Sequence, residues 1–284
     1  MTITVLKPTT IDEAVAMLAA DDGARPLSGG ATLVAMRNAG LIDVSALVSL
    51  DRIPGLAGIT RLDDGRIRIG GMTRHRDTAV CDLLTGDLAV VRMAASMIAN
   101  RPVRNMGTIG GAVANADPAA DYLPALMVSD AVLHIAGPDG DRRVDISGFV
   151  TDWYETVLQQ GELIVAIELP AVRQLASSYR KVARVTGDYA TCSCAIALDD
   201  DGAHQTVRVA IGACGPYPLR DRDAEQVLRG CLHDKTAVAA FADALVALAD
   251  PIDDVRGTAA YRLNLIPRLV KSGCAELIKK MEAA

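Results

Sequence analysis

Two pairs of adjacent glycines carry the first chemical signal in the chain. One lies in Pro26-Leu27-Ser28-Gly29-Gly30-Ala31-Thr32-Leu33, the other in Thr108-Ile109-Gly110-Gly111-Ala112-Val113-Ala114-Asn115. Without a Cβ, glycine lets backbone N–H groups approach a ligand closely. Ahead of a helix such a loop makes an anion cradle, because the first-turn amides are unpaired and the helix dipole favours negative charge. Two cradles in one chain suit a diphosphate held between two parts of a fold. The competing reading of any single Gly-Gly is a plain tight turn. Neither loop is a dinucleotide fingerprint or a P-loop: no G-x-G-x-x-G opens a helix, and no Gly-Lys-Ser/Thr occurs.

The second loop runs on into Asn115-Ala116-Asp117-Pro118-Ala119-Ala120-Asp121. Pro118 reads as the first residue of a helix, with Asp117 as its N-cap and Asp121 one turn in. A carboxylate beside a diphosphate would not bind phosphate. It could accept hydrogen bonds from ribose or ribityl hydroxyls, or from a ring N–H. Arg101 and Arg104, beside the second loop, either reach phosphate or are ordinary surface arginines. His75, His134, His204 and His233 are scattered, with no H-E-x-x-H spacing, so neither a metal site nor a catalytic triad is expected from them. The six cysteines are Cys81, Cys192, Cys194, Cys214, Cys231 and Cys274, and they lack the C-x2-C or C-x4-C spacings of iron–sulfur ligation. They read as buried small hydrophobes.

Composition narrows the function classes. The chain has 284 residues, 50% hydrophobic, 23% charged and 3% aromatic, with a net charge of −6. That balance excludes a disordered tail. It also disfavours nucleic-acid binding, which needs a basic face and stacking aromatics. The most apolar stretch, residues 236–249, is short and carries Asp243, so no membrane span is expected. The first residues show no basic, then apolar, export signal, so a soluble cytoplasmic protein is the expectation.

Positioning the loops takes a specific series of elements. A strand over 3–6 leads to a helix at 14–20, begun by the capping box Thr10-Ile11-Asp12-Glu13. A strand at 25–27, a helix at 32–38 ending at Gly40 and a strand at 47–50 complete a β-α-β-α-β rhythm. Hairpins follow at 56–69 and around Pro138-Asp139-Gly140, with a strand at 163–169. The apolar spacing over 73–100 predicts one helical stretch, closed by Arg101-Pro102. Beyond residue 171 come strands at 179–184, 192–198 and 206–214, with a turn at Asp199-Asp200-Asp201-Gly202. Helices are expected at 224–228, 235–249 and 258–280. The expected fold is therefore α+β in two domains: 1–171, itself split near residue 55 into 1–55 and 56–171, and a smaller 172–284.

These motifs together resemble the FAD-binding medium subunit of molybdenum hydroxylases, the xanthine dehydrogenase and aerobic carbon monoxide dehydrogenase family. The resemblance rests on both glycine loops and the Asn115–Asp121 segment. It also covers Lys181-Val182-Ala183-Arg184-Val185-Thr186-Gly187-Asp188-Tyr189-Ala190, Ile211-Gly212-Ala213-Cys214-Gly215-Pro216 and Asp254-Val255-Arg256-Gly257-Thr258-Ala259-Ala260-Tyr261-Arg262. It implies a two-part FAD-binding domain of the vanillyl-alcohol-oxidase-like (PCMH) type, followed by the smaller α+β domain. It implies noncovalent FAD, a small partner subunit with two [2Fe–2S] clusters and a large one with a molybdopterin cofactor. The complex would be bacterial and a dimer of heterotrimers. It would pass electrons from the clusters through the flavin to NAD, a quinone, a cytochrome or oxygen.

The resemblance assigns residues too. Pro26, Leu27, Ser28, Gly29, Gly30, Ala31, Thr32 and Leu33 match the first diphosphate loop, and Thr108, Gly110 and Gly111 the second. Asn115 and Asp121 match FAD-contacting positions. Lys181, Asp188 and Tyr189 match a segment beside the isoalloxazine, where Tyr189 could cover one face. Lys181 is either a charge partner for the flavin or a strand-end lysine. Ala31 and Ala112 stand where relatives often have polar side chains, which leaves more of the binding to backbone. A stand-alone FAD oxidoreductase on the same fold is the alternative, and a flavin-free scaffold a third reading.

Overall fold

The computed structural model describes residues 3–173, 175–200 and 205–283. The chain opens with β1 (Thr4–Leu6), α1 (Ile11–Ala19), β2 (Arg25–Leu27), α2 (Leu33–Asn38) and β3 (Ala46–Ser49). The strands form a parallel sheet in the order β1-β3-β2, as βαβ connections require. Thr10 caps α1 by accepting from the Glu13 N–H at 3.1 Å. Glu13 reaches back to the Thr9 N–H at 2.7 Å, one residue before the partner a capping box predicts.

The second unit is built on an antiparallel sheet of β4 (Ile59–Arg61), β5 (Ile67–Gly70), β6 (Val132–Ala136), β7 (Arg142–Asp145) and β10 (Leu163–Leu169), in the order β4-β5-β10-β6-β7. The unit also holds the helices α3 (His75–Ala79), α4 (Ala89–Met97), α5 (Arg101–Met106), α6 (Ile109–Asn115) and α7 (Tyr122–Val128), of which α4, α6 and α7 share one core with the sheet. A small hairpin of β8 (Val150–Asp152) and β9 (Glu155–Thr156) sits before β10. Two boundaries differ from the sequence expectation. The stretch 73–100 is two helices: the first stops at Ala79, and Gly86, left-handed at φ 56°, opens the short 3-10 turn that leads into the second. Leu84, Leu88 and Val91 still share one core, which is why the apolar spacing reads straight across the break. Pro102 opens α5 instead of ending a helix. The Asn100 side chain caps the Val103 N–H at 3.0 Å, and a proline in the first turn sacrifices no needed donor.

The third unit holds β11 (Ser177–Val182), β12 (Cys192–Asp200) and β13 (Gln205–Gly212) in an antiparallel sheet, covered by α8 (Arg222–Glu225), α9 (Lys235–Leu248) and α10 (Ala259–Glu282). The expected turn at Asp199–Gly202 runs into residues outside those described. Cys192, Cys194, Cys214 and Cys274 are buried in this unit's own core, as expected for small hydrophobes. Cys231 is exposed instead, because it lies in the loop before α9 rather than on a packed face.

The second and third units share core. Tyr179, Ala195, Ala197 and Ala210, from β11, β12 and β13, pack into the apolar cluster of the second unit. Beside them the buried Arg208 guanidinium bridges Asp87 at 3.1 Å and Asp130 at 3.0 Å. Arg220 joins Asp130 at 2.6 Å and Glu225 at 2.8 Å. Among the described residues no helix is long and apolar enough to cross a membrane.

Candidate functional site

The first glycine loop leaves β2 and turns into α2, and the second enters α6. The fold presses them together. A Cβ on Gly29 would collide with the Met106 carbonyl and the Gly107 backbone, so only glycine allows this approach. The Ser28 and Thr108 hydroxyls then bridge the two loops at 2.6 Å.

The loops offer a ligand different groups. In the first, Gly30 takes φ 71°, and the N–H groups of Gly29, Gly30, Ala31 and Thr32 have no acceptor among the described residues. Those amides are free for an anionic ligand. The second loop departs from the cradle expectation, because its amides are already used. Ile109 donates to Thr73 O at 2.9 Å, Gly110 to Gly71 O at 2.9 Å and Gly111 to Thr108 Oγ1 at 3.3 Å. Gly110 is glycine for packing: a Cβ there would sit 2.7 Å from the Gly71 carbonyl. What this loop presents is the exposed Cα of Gly111, which faces Ser28, while the buried Thr108 hydroxyl is taken up by Ser28 and the Gly111 N–H. Asn115 ends α6 half-buried, and its carboxamide has no partner among the described residues.

Residues 117–121 do not form the expected helix start. Asp117 accepts from the Ala119 N–H at 2.9 Å and so caps a turn, while α7 begins only at Tyr122. Asp121 stands before that helix without capping it, because both of its oxygens are engaged elsewhere. Oδ1 accepts from Tyr179 at 2.7 Å and Oδ2 from Lys181 at 2.9 Å. Lys181 donates also to Met97 O at 3.2 Å. Both charged side chains are buried, and burial pushes the Asp121 carboxyl up while Lys181 pulls it back down. Lys181 is thus neither a loose strand-end lysine nor an open cation facing a ligand. Arg104 donates from one guanidinium nitrogen to the Ile98 and Ala99 carbonyls.

Behind the second loop lies His75, its Nδ1 3.3 Å from the Tyr122 hydroxyl. Burial, helped by the nearby Arg104 charge, pushes its pKa down to about 4. A neutral imidazole there supports the loop and is no proton donor at neutral pH.

Tyr189 comes from the third unit and lies near Thr32 of the first loop; burial pushes its phenol up. The residue is 38% exposed, and over its ring, 5.1 Å from the centroid, lies the Arg256 guanidinium, itself paired with Asp254 at 3.1 Å. Asp188 points elsewhere: it pairs with Arg184 at 2.9 Å and caps its own turn. Tyr154, Tyr179 and Arg256 also belong to this region, with no role assigned to them by the sequence. Arg256 stood inside a recognised motif. Tyr179 carried the signal of an aromatic on an alternating strand. Nothing in the sequence around Tyr154 marks it.

Comparison with known proteins gives the same picture along the whole length. Residues 1–172 match the family described as the FAD binding domain in molybdopterin dehydrogenase, and residues 177–277 the CO dehydrogenase flavoprotein C-terminal domain. The chain is 35% identical over 268 residues to the carbon monoxide dehydrogenase medium chain of Hydrogenophaga pseudoflava, covering 93% of each. It is 28% identical to the xanthine dehydrogenase FAD-binding subunit of Escherichia coli O157:H7, over 96% of this chain and 94% of that one. A solved structure of the Hydrogenophaga pseudoflava carbon monoxide dehydrogenase superposes with a TM-score of 0.91 at 34% identity, over 96% of both chains.

Proposed function

The chain belongs to the family of FAD-binding subunits of the molybdopterin dehydrogenases, and we propose that it is the electron-transfer subunit of a heterotrimeric molybdenum hydroxylase. Bound FAD supplies the redox chemistry, accepting electrons from iron–sulfur clusters and releasing them to an external acceptor. The chain's own residues bind it, orient it and control access. The observation that carries this reading is the junction of the two glycine loops, with four free amides on one side and the Ser28–Thr108 hydroxyl pair between them.

In this reading Pro26, Leu27, Ser28, Gly29, Gly30, Ala31, Thr32 and Leu33 form the main diphosphate loop. Its amides do the hydrogen bonding. Gly111 closes the other side through a bare Cα, Thr108 ties that loop to Ser28, and Gly110 holds it against Gly71. Asn115 offers its unpaired carboxamide. Asp121 and Lys181 act as an internal pair that fixes the floor of the site, and Asp188 shapes the turn that presents Tyr189. Tyr189 covers the ring system. No histidine or cysteine lies in the loops, so the cofactor is held without a covalent bond.

The partners are a small subunit with two [2Fe–2S] clusters and a large subunit with the molybdopterin cofactor, arranged as a dimer of heterotrimers in the cytoplasm. The acceptor is NAD, a quinone or a cytochrome. A visible spectrum of the purified chain tests the cofactor: flavin bands with about one FAD per chain are expected, and a colourless chain that takes up no FAD would sink the reading. Co-purification tests the partners. Recovery of the chain with full oxidoreductase activity and no cluster or molybdenum subunit would favour the stand-alone oxidoreductase.

A further inference from the structure

Arg262 carries its charge in a place where charge is costly. It lies in the first turn of α10 and is buried. A buried guanidinium is tolerated only where acceptors surround it, and here they come from three separate segments. Nη1 donates to the Thr191 carbonyl at 2.8 Å and to the Ala213 carbonyl at 2.9 Å, just before β12 and just after β13. Nη2 donates to Oδ1 of Asp254, in the loop ahead of α10. The same stretch of the third unit rests on the site. The Ala213 N–H donates to Pro118 O at 3.0 Å, and the Ala190 N–H donates to Ala119 O at 3.4 Å. Tyr189 is the chain neighbour of Ala190, so its backbone is set down between Asp117 and Asp121.

Asp254 carries the anchor outward. Its Oδ1 also accepts from the Arg256 N–H at 2.8 Å and the Gly257 N–H at 3.2 Å, and its Oδ2 from Arg256 Nη1 at 3.1 Å. Among the described residues, Arg262 is the partner that this carboxylate has outside its own turn. Two further bonds hold the backbone of that turn: Thr191 Oγ1 donates to Arg256 O at 3.1 Å, and Arg184 to Val255 O at 3.2 Å. The Arg256 side chain depends on Asp254, since its buried Nε has no partner among the described residues. Held in this way, the guanidinium lies over the Tyr189 ring, 5.1 Å from the centroid. A cation over an aromatic face is attracted by the ring quadrupole. It also occupies that face, so Tyr189 can turn only its other face or an edge toward a ligand.

We propose that Arg262 is a positioning residue for Tyr189, acting through Asp254 and Arg256 to hold the ring in one place at the site. Charges alternate along this relay, and a hydrogen-bonded polar network fixes one arrangement where apolar packing would allow several. Tyr189 is then a fixed wall and not a swinging gate. The proposal rests on the functional reading above only in taking the ring to cover the flavin. The relay itself belongs to the chain.

Two measurements on the full chain test it. A phenol held against an isoalloxazine quenches its emission, so flavin fluorescence of the FAD-loaded chain reads the ring. Tyr189→Phe should brighten it. Arg262→Lys keeps the charge but cannot serve two carbonyls and a carboxylate at once, and it should brighten the flavin as well, at unchanged FAD content. The double variant Arg262→Lys, Tyr189→Phe should be no brighter than Tyr189→Phe alone, because both changes act on one ring. Hydrogen exchange across 185–190 should also quicken by about threefold in Arg262→Lys, the loosening expected when a surface cation–π contact is lost. Wild-type emission in Arg262→Lys, or a double variant brighter than Tyr189→Phe, would overturn the proposal. Should Arg262→Lys fail to fold, Arg256→Met cuts the relay at a side chain 24% exposed, and wild-type emission there would overturn it equally. Unchanged emission in Tyr189→Phe with FAD still bound would instead overturn the placing of the flavin against Tyr189. Hydrogen exchange then decides the relay by itself, and wild-type exchange in Arg262→Lys would end it.

Discussion

Lys181 Nζ lies 2.9 Å from Asp121 Oδ2, both side chains buried, and the pair joins β11 of the third unit to the segment ahead of α7 in the second. The Tyr179 hydroxyl takes the other carboxylate oxygen at 2.7 Å. Removing one member leaves the other buried and uncompensated, which is far costlier than the net worth of the pair. Asp121→Asn is therefore expected to lower stability by about 3–5 kcal/mol, read as a shift in the denaturant midpoint. The double variant Asp121→Asn, Lys181→Met should recover part of that loss. A double variant no better than the single one would show that the two residues do not act as a pair.

The glycines separate by role. Gly29→Val and Gly110→Val each drive a Cβ into backbone of a neighbouring segment, and each should cost roughly 3 kcal/mol as well as FAD retention. Gly111→Ala places its Cβ 3.1 Å from Thr108 Oγ1 on the exposed face toward Ser28. That variant should fold with a normal melting curve yet bind FAD about tenfold more weakly by fluorescence titration, a loss of ~1.4 kcal/mol. Unchanged FAD affinity in Gly111→Ala would place the ligand elsewhere.

His75 predicts an acid limit. Its pKa is depressed to about 4 in the folded protein against an ordinary value near 6.5. The unfolded chain therefore binds the extra proton first as pH falls, and stability present above pH 6.5 is lost progressively down to about pH 4. The full loss is roughly 3 kcal/mol. Urea midpoints at pH 7 and pH 4.5 should differ less in His75→Gln than in the wild type. Identical differences in the two proteins would mean the proton goes to other groups.

Tyr189→Ala is expected to leave FAD bound and to change flavin re-oxidation by several-fold, a barrier change of about 1 kcal/mol. Stopped-flow re-oxidation with oxygen, run beside a melting curve, checks this. Lost thermal stability with an unchanged rate would make Tyr189 a packing residue between the units, with Arg256 over its ring.

How far this could be read from sequence varies with how local the cause is. The β-α-β-α-β opening follows from capping and alternation, and Thr10 behaves as its motif predicts. The break inside 73–100 was not legible, because Leu84, Leu88 and Val91 serve one core on both sides of it. The two glycine loops announced themselves, but not that Gly29 is glycine for the sake of Met106, a contact spanning about eighty positions of sequence. Asp121 and Lys181 could each be singled out, while their pairing depends on how β11 docks on the second unit. Tyr154, left-handed at φ 58°, shows that a strained backbone leaves no trace in residue type.

The shared core of the second and third units bears on what can be made from a gene encoding this protein. A chain cut after residue 171 would leave Asp87 and Asp130 without Arg208, and uncover the apolar surface that Ala195, Ala197 and Ala210 now fill. Such a fragment would emerge from the ribosome with a sticky face and two stranded carboxylates, prone to aggregate before it could take up any ligand. The flavin-binding part is therefore expected to reach a soluble folded state only when the carboxy-terminal unit is made with it.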